Sequence, residues 1–325
     1  MGVKIPASLL ATQIRQLYDI PPEASLETLS EPLRTWVDYA MGTVQRGRWV
    51  LEELVPHGLR PGFRYLDAGC AYGGFLAAAA EIGAREVVGV DVNEKYLNIA
   101  RELLGATGLP ARIESGSVSD GNLIDSLGRF DVITCADVIE HVDDVPATLA
   151  NLARALVPGG LLYLAVPNAW SPACVRRDPH FQLFGITLLP HSEARGYYRR
   201  ISGSDYYDVG EFHRLQVYER ELQSHGLQTA VINMPGSEEL AVQELLAETE
   251  GLETDAHSFA DERLPSELVV SLRKQALELA ESIRRRLREA SAGRRSWLPW
   301  TKPVDRASVV RDHAIRTWHL LGRRV

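Results

Sequence analysis

Apolar residues before Gly62 recur at the spacing of a helix. Val37 and Val50 belong to two runs in which apolar positions are separated by three or four residues. Pro61 and Gly62 interrupt this pattern, because the pair favours a turn. The N-terminal segment, residues 1–61, is therefore predicted to be helical.

From Gly62 onwards, short apolar runs alternate with stretches of helical period. Strands are predicted at "FRYLDAG", "EVVGVDV", "ARIESGSV", "FDVITCADVI" and "LLYLAVPN". Helices between them are predicted at "GGFLAAAAEIGA", "EKYLNIARELLGATG" and "VPATLANLARALVPGG". A strand, a helix and a strand within about thirty residues form a βαβ unit. Because the strands are almost continuously apolar, we expect a parallel sheet covered on both faces.

The alternation stops after Asn168. Residues 169–210 are rich in aromatic, His, Arg and Pro residues without a clear period, which is typical of a lid or a substrate-binding loop. A helix ("LQVYERELQSHG"), a strand ("LQTAVINM"), a helical insert in residues 237–264 and a last strand ("ELVVSLRK") are predicted to follow. The main domain would span residues 62–273, and residues 274–325 would form a basic helical extension.

The expected architecture is an α/β fold with a doubly wound, mostly parallel seven-stranded sheet, N-terminal helices, a lid-like insert and a C-terminal helical extension. With 325 residues, 45% hydrophobic and 24% charged, the chain can bury a substantial core. No apolar run reaches the ~18 residues of a membrane-spanning helix. The N-terminus lacks a signal-peptide pattern, and Cys70, Cys135 and Cys174 show no C-x-x-C spacing. We therefore expect a cytoplasmic protein.

The net charge of −8 is unevenly distributed. Residues 284–325 carry twelve Lys and Arg residues against three acids, a net charge of +9. Such a segment can bind phosphate, anionic lipid or nucleic acid, or it can pack against an acidic body. Trp297 and Trp300 fit peripheral contact with anionic lipid, whereas nucleic acid is not an expected partner because the rest of the chain is acidic. The spacing of Leu277 and Leu287 allows a homodimer interface or a cover over the site.

A glycine-rich turn, Asp67 to Gly74, lies at the carboxyl end of the first predicted strand, where open α/β sheets bind ligands. A dinucleotide fingerprint requires G-x-G-x-x-G, but Ala71 stands at the second glycine position. A Walker loop requires Lys followed by Ser or Thr, and Phe75 stands there instead. Neither phosphate-binding motif fits, and a plain strand-to-helix turn is the structural alternative.

The two carboxylates around this turn favour a different ligand. Asp67 would repel a pyrophosphate and attract an ammonium or sulfonium group. Asp91 ends the second strand, where an acid can accept hydrogen bonds from ribose hydroxyls; a helix cap is its alternative role. S-adenosylmethionine carries a sulfonium, an amino-acid end and a ribose in the matching order.

Five blocks together resemble the class I S-adenosylmethionine-dependent methyltransferases, over roughly residues 64–234: "LDAGCAYGG", "VVGVD", "FDVITCADVIEHV", "LVPGGLLYLAVPN" and "VYERELQSHGL". The resemblance implies that S-adenosyl-L-methionine is the cofactor. It places around the cofactor, from its methionine end to its adenine and then beneath its methyl group, Asp67, Gly69, Cys70, Gly73, Asp91, Val92, Ser117, Val118, Cys135, Ala136 and Asp137. Ser117 departs from the acid common in the family, so Ser117, the backbone of Val118 and Asp120 remain alternatives for adenine recognition.

An alkyl hydroxyl acceptor requires a positioned base, whereas an amine requires less help. The candidates for that base are Asp137, His141, Asp178, His180 and His191. His180 is preferred because neighbouring Asp178 could orient its imidazole, as carboxylates do in other His-based sites. His141 is the less secure candidate, since this His is often structural in the family. No cluster has a diagnostic metal-ligand spacing, so no metal is expected.

The insert "RRDPHFQLFGITLLPHSEARGYY" resembles a segment of methyltransferases of bacterial saccharide and glycolipid assembly, which implies O-methylation of a sugar or glycolipid-type acceptor. Aromatic rings can stack on sugar faces and arginines can hold phosphate, or the same side chains can pack the insert onto the body. The candidate substrate-binding residues are Asn168, Arg176, Arg177, Asp178, Phe181, His191 and Tyr197, with Phe184, Arg195 and Tyr198 beside them. A small aromatic or quinone acceptor, and RNA methylation through the basic tail, are the alternatives.

Overall fold

The computed structural model describes residues 7–31, 33–105, 108, 110–292 and 305–325. The strands are β1 (Arg64–Ala68), β2 (Glu86–Asp91), β3 (Ala111–Ser115), β4 (Phe130–Ala136), β5 (Leu156–Pro167), β6 (Leu227–Val231) and β7 (Thr317–Arg324). The α-helices are α1 (Ala7–Leu17), α2 (Leu33–Met41), α3 (Thr43–Leu54), α4 (Gly74–Ile82), α5 (Glu94–Gly105), α6 (Gly121–Leu127), α7 (Val145–Arg154), α8 (Pro172–Arg176), α9 (His191–Ser202), α10 (Leu215–Ser224), α11 (Glu238–Ser258), α12 (Ser266–Ser291) and α13 (Arg306–His313).

Within these ranges the strands form one seven-stranded sheet in the order β3-β2-β1-β4-β5-β7-β6. β1 pairs in parallel with β2 and with β4. The winding direction reverses between β1 and β4, so their carboxyl ends form the switch point at which such sheets bind ligands. β7 runs antiparallel to β6, because Val325 N–H donates to the Gly226 oxygen at one end and Ile232 N–H to the His319 oxygen at the other. The predicted doubly wound, mostly parallel sheet is confirmed.

The chain divides into two compact units. Unit 1 contains the chain up to Leu164 together with Glu219–Ala230 and Leu320–Val325. Unit 2 contains Ala165–Tyr218 and Val231–His319. This division differs from the predicted one, because segments late in the chain return to unit 1 rather than forming a separate extension.

The core of unit 1 lies on both faces of the central strands. Leu66 on β1 and Val88 on β2 are fully buried, and burying one such side chain contributes about 1.5–3 kcal/mol. Helix α4 crosses α3 closely, since a Cβ on Gly47 would lie 2.9 Å from the Cα atom of Phe75. The small residue at this crossing lets the two helix backbones approach.

Helices α11 and α12 form the core of unit 2, with Leu252 and Leu272 fully buried between them. Helix α9 joins this core through Ala194 and Tyr197, with Ile201 packed against it. These three residues are spaced by three and four positions, a helical period that the surrounding Arg and Tyr residues obscured. The segment predicted as an irregular lid is therefore partly helical and packed.

The predicted last strand is wrong. "ELVVSLRK" lies in helix α12, and the final strand is β7, inside the segment predicted as a helical extension. Neighbouring Val269 and Val270 favour a strand locally. However, the buried residues Leu272, Ala276 and Ile283 recur at helical spacing, so burial of one helix face outweighs the local preference.

Several arginines of the basic C-terminal segment contact the chain itself. Arg324 donates to the carbonyls of Ala153 and Arg154 at the C-terminal end of α7, where positive charge interacts favourably with the helix dipole, and to that of Leu156. In unit 2, Arg286 pairs with Asp312 at 2.8 Å. Trp297 and Trp300 lie outside the described residues, so lipid contact stays a prediction. Within the described ranges, each helix is too short or too polar to cross a membrane.

Candidate active site

The glycine turn follows β1 and leads into α4. The N–H groups of Gly69 and Cys70 donate to the Val90 oxygen of β2 at 2.8 and 3.0 Å. The N–H of Ala71 donates to Oδ2 of Asp91 at 2.9 Å. These bonds fix the turn to the end of β2, so the two segments predicted to bind the cofactor lie together.

Two glycines of the turn are required by close packing. Gly69 has a φ of +88°, and a Cβ there would lie 2.2 Å from Cγ2 of Val138, which follows β4. Gly73 has a φ of +78°, and its Cβ would lie 2.8 Å from the Cβ of Ala100 on α5. Glycine adopts this left-handed backbone without steric cost. It therefore lets the turn, the end of β4 and α5 meet at the switch point.

Asp67 is a buried carboxylate, with 4% of its surface exposed. The hydroxyl of Thr134 on β4 donates to its Oδ1 at 2.7 Å. Burial raises the pKa of Asp67 to about 7, the Thr134 hydrogen bond acts in the opposite direction, and the charge of Asp91 raises the pKa further. A nearby cation would favour the charged carboxylate. This position therefore suits a positively charged ligand group.

Asp91 ends β2 and is half-buried. Its Oδ1 accepts the N–H of Asn93 at 2.8 Å, and its Oδ2 accepts the N–H of Ala71. Each carboxylate oxygen has a second lone pair. The backbone therefore orients the carboxylate while leaving it able to accept hydrogen bonds from hydroxyl groups.

These two carboxylates fit S-adenosylmethionine. Asp67 offers negative charge to the sulfonium and ammonium end, and Asp91 offers acceptors to the ribose hydroxyls. When bound, the cofactor supplies an electrophilic methyl group. The residues of the chain would hold the two ends of the cofactor and exclude water from the methyl group.

The residues predicted near the adenine lie after β2 and β3. Val92 is 72% exposed and could cover an adenine face. Ser117 is half-buried, and its Oγ accepts a backbone N–H at 3.1 Å. Val118 is buried. Asp120, the alternative for the adenine amino group, caps α6 by accepting two of its backbone N–H groups. The adenine contacts stay predictions.

The end of β4 carries Cys135, Ala136 and Asp137. Burial raises the pKa of the Cys135 thiol, which favours its neutral form, and its place beside the cofactor stays a prediction. Asp137 has a φ of +55°; such a conformation costs a non-glycine residue about 1–3 kcal/mol and is concentrated at functional sites. The Tyr39 hydroxyl from α2 donates to Oδ2 of Asp137, and the Arg46 guanidinium lies 3.5 Å from the Tyr39 ring centroid. The N-terminal helices therefore contribute side chains to the end of β4.

His141 lies in a short 3₁₀ turn, Ile139–His141, that follows Asp137. Glu140 in the same turn is buried, and its charge acts on the neighbouring Cys135 thiol. The turn thus places two further titratable side chains close to the end of β4. His141 remains a candidate base.

Asp178 organises a turn in unit 2. Its carboxylate accepts the backbone N–H groups of His180 and Phe181, both at 2.9 Å, and of Leu183 at 2.6 Å. The His180 Nδ1 atom lies 3.9 Å from Oδ1 of Asp178, which is beyond hydrogen-bond distance. The carboxylate binds the backbone of the turn, so orientation of the imidazole by Asp178 stays a prediction without a direct hydrogen bond between them. His180 as the base stays a prediction.

The aromatic side chains of the insert contact one another. The Phe181 ring centroid lies 4.4 Å from that of Tyr198 and 5.3 Å from that of Tyr207. His191, exposed at the start of α9, lies 5.6 Å from the Tyr207 ring. Phe184 is buried and stacks on a second phenylalanine. These contacts favour the packing alternative for the aromatic set.

Three residues predicted to bind substrate have structural roles within unit 2. Asn168 is fully buried and donates its amide to two backbone carbonyls, at 2.8 and 3.0 Å. Arg176 pairs with two carboxylates at 2.6 and 3.1 Å. Tyr197 is buried in the core, where burial raises the pKa of its hydroxyl. Arg177, in contrast, is exposed. The contacts of the first three favour structural roles, and their contact with substrate stays a prediction.

Thr134, Tyr65 and Tyr39 belong to the site but were not predicted. A hydroxyl inside the apolar run of β4 is the signal that could have found Thr134, because buried polar groups require a partner. No local signal exists for Tyr39, which precedes Asp137 by 98 positions.

Comparison with known proteins identifies a family. Residues 31–230 match the methyltransferase domain family. Relatives named ubiquinone biosynthesis O-methyltransferase include proteins from Dechloromonas aromatica, with 32% identity over 38% of this chain and 50% of that protein, and Rhizobium rhizogenes, with 37% identity over 35% and 45%. The protein of that name from Bordetella bronchiseptica is 31% identical over 50% and 66%. The chain spans about half the length of the curated relatives that it matches.

Solved structures with partial similarity include the magnesium protoporphyrin IX methyltransferase of Synechocystis, with a TM-score of 0.42, 21% identity and coverage of 67% of this chain and 84% of that one. A putative sarcosine dimethylglycine methyltransferase of Galdieria sulphuraria has a TM-score of 0.44, 14% identity and 96% coverage of both chains. The family match covers strands β1 to β5, most of β6 and the glycine turn, whereas β7 lies outside it. The chain belongs to the methyltransferase domain family and is a class I S-adenosylmethionine-dependent methyltransferase.

Proposed function

We propose that the chain methylates a hydroxyl oxygen of a small aromatic, quinone-type acceptor. The observation that carries this proposal is the similarity to proteins named ubiquinone biosynthesis O-methyltransferase, at 31–38% identity. The proposal replaces the sugar acceptor expected from the insert. Of the residues that favoured a sugar, Arg176 is held by carboxylates, Tyr197 lies in a core, and Phe181 packs against other rings.

The end of β4 offers chemistry suited to a phenolic hydroxyl. The carboxylate of Asp137 already accepts a hydrogen bond from one phenol, that of Tyr39. A phenol has a pKa of about 10, as tyrosine does, so a weaker base is sufficient than for an alkyl alcohol. Asp137 and His141 in unit 1 are therefore the proposed groups for holding and deprotonating the acceptor.

The test is a product assay on the purified full chain with S-adenosylmethionine and three acceptor classes: catechols and hydroquinones, free hexoses, and simple amines. Mass spectrometry would locate the added methyl group, with and without EDTA. We expect O-methylated product from the catechols. Product from hexoses or amines alone would overturn the proposal.

Variants of the candidate bases sharpen the assay. Replacing a general base typically lowers turnover by about 10²–10⁴-fold, and we expect this for Asp137→Asn or His141→Gln with a catechol acceptor. His180→Gln tests the earlier preference in the same assay. His225→Gln, at an exposed position in unit 1, is the matched control and should keep full turnover. Unchanged turnover in both unit 1 variants would contradict the proposed deprotonation.

A further inference from the structure

A chain of three buried polar side chains runs between β1 and β4. Thr134 Oγ1 donates to Oδ1 of Asp67 at 2.7 Å, and the Tyr65 hydroxyl lies in hydrogen-bond contact with the same Thr134 oxygen. Tyr65 and Thr134 are fully buried. Tyr65 and Asp67 are two positions apart on β1, so their side chains lie on the same face of the sheet. Thr134 stands opposite Asp67 in the strand pairing.

The directions of the hydrogen bonds follow from the available protons. A threonine hydroxyl has one proton, and in this arrangement Thr134 uses it for Asp67. The Tyr65–Thr134 contact must therefore be donated by Tyr65. Tyr65 directs the threonine proton towards the carboxylate, so the three groups form a directed chain that ends on Asp67.

Burial and a neighbouring carboxylate act against the charge of Asp67. Asp91 from β2 carries a like charge. The Cys70 thiol in the turn and the Cys135 thiol on β4 lie within reach of the Asp67 charge, and both are buried and neutral. Burial itself disfavours an ionised carboxylate. The Thr134 hydroxyl is the contact that favours the ionised form.

We propose that Thr134, oriented by Tyr65, is a positioning residue for cofactor binding, because it keeps Asp67 in the ionised form that attracts the cationic end of S-adenosylmethionine. The inference does not depend on which acceptor is methylated. Binding of a cation beside Asp67 favours loss of its proton, so affinity should rise with pH until Asp67 is ionised in the free protein.

The experiment is calorimetric titration of the full chain with S-adenosylmethionine, without acceptor, from pH 5.5 to 8.5. For the wild type we expect affinity to rise with pH through the Asp67 pKa of about 7 and to level off about one pH unit above it, where Asp67 is ionised. Titrations in buffers with different ionisation heats should show uptake of a proton by the buffer on binding at pH 6 and much less at pH 8.5.

Thr134→Val removes the hydroxyl while keeping the branched shape. We expect the affinity for S-adenosylmethionine to fall about tenfold at pH 6.5 and to change little at pH 8.5. Without the hydrogen bond from Thr134, Asp67 should keep its proton up to a pH about one unit higher. Thr134→Ser should restore the wild-type profile. Tyr65→Phe should shift the profile in the same direction by a smaller factor.

Thr148→Val is the matched control, because Thr148 is another fully buried threonine of unit 1 and bonds to a backbone carbonyl. Any loss of affinity in this variant should be the same at every pH. The proposal is overturned if Thr134→Val lowers affinity equally at all pH values, which would indicate a merely structural role, or leaves it unchanged. If Thr134→Val does not fold, an unshifted profile in Tyr65→Phe overturns the proposal.

Discussion

The buried carboxylates of the two units have different surroundings. In unit 1, the buried Asp67 lies near a second carboxylate, Asp91, at the end of the central strands. In unit 2, the buried Asp178 accepts three backbone N–H groups of its own turn, at 2.6 to 2.9 Å. Hydrogen bonds to an ionised carboxylate favour its charge, whereas a like charge nearby disfavours it. The turn of Asp178 thus stabilises that carboxylate by itself, while the surroundings of Asp67 suit a ligand of opposite charge.

A buried titratable group in each unit extends the comparison. Burial raises the pKa of Asp67 in unit 1 to about 7. In unit 2, burial lowers the pKa of His313 to about 4, and Arg286, whose Nη1 contacts its Nε2 at 2.8 Å, acts in the same direction. Its Nδ1 contacts the Trp170 carbonyl, which acts in the opposite direction. Burial thus favours the neutral form of both groups. The charge of Asp67 destabilises the fold at high pH, whereas the charge of His313 destabilises it at low pH.

Gly69→Ala should have the largest effect and should break unit 1. The new Cβ would lie 2.2 Å from Val138 in a left-handed backbone conformation. Overpacking costs about 1–3 kcal/mol and the backbone strain a similar amount, which together remove a large part of the about 5–15 kcal/mol stability of a typical domain. We expect urea denaturation followed by circular dichroism to show a much lower unfolding midpoint.

Gly159→Ala is the control for Gly69→Ala. Gly159 has a similar φ, +79°, but open space around its Cβ position. It should therefore cost only about 1–2 kcal/mol, the penalty of the left-handed conformation. Equal destabilisation by the two variants would contradict the role given to close packing at the switch point.

Asp67→Asn should have the next largest effect, and its sign depends on pH. The pKa of Asp67 is higher in the folded state than in the unfolded chain. The fold therefore loses stability as pH rises from about 4 to about 7, because the buried carboxylate is harder to ionise than the exposed one. Without ligand, we expect the variant to be more stable than the wild type at pH 8, by up to about 4 kcal/mol, and the difference to vanish near pH 4. Urea denaturation across this range measures it.

Asp120→Asn, an exposed helix cap that asparagine can also fill, is the control for the Asp67 variant. The difference in stability between Asp120→Asn and the wild type should not increase between pH 4 and pH 8, as it should for Asp67→Asn. If unit 1 of the wild type loses no protection against hydrogen exchange between pH 4.5 and 7.5, the charge assigned to Asp67 is contradicted.

His313→Gln should have a smaller effect in the opposite pH direction. The pKa of His313 is about 4 in the folded state and about 6.5 in the unfolded state. The fold therefore loses stability as pH falls through this window, by up to about 3 kcal/mol, because the unfolded state binds the proton more readily. The variant should lack this loss. Because the Asp67 and His313 effects oppose each other below pH 6.5, hydrogen exchange resolved by peptide is the suitable measurement.

His191→Gln, exposed in the same unit, is the control for His313→Gln and should keep the wild-type response to acid. If unit 2 of the wild type keeps the same protection at pH 5 and pH 7, the explanation for His313 is wrong.

Much of unit 1 could be predicted because its signals are local. Period and apolar runs located β1 to β5 and the helices α4, α5 and α7, although α6 was not predicted. The glycine turn with Asp67 and Asp91 indicated the cofactor. The predictions failed where distant contacts decide. Residues 267–274 at the start of α12 were predicted as a strand, but a helix face buried over many turns outweighs two adjacent valines, and β7 was not predicted. The sequence also could not show that Arg176 pairs with carboxylates, since these lie far along the chain.

The sequence by itself determined the fold class and the cofactor and predicted the chain position of the binding turn, since these follow from the order and spacing of short segments along the chain. Only the tertiary structure decided which polar groups are already satisfied. Arg176 has its carboxylates 72 and 79 positions away, and Asp67 has its hydroxyl donor 67 positions away. The physical reason is that burial and pairing set the charge and availability of a side chain, and both are properties of packed neighbours rather than of the local sequence.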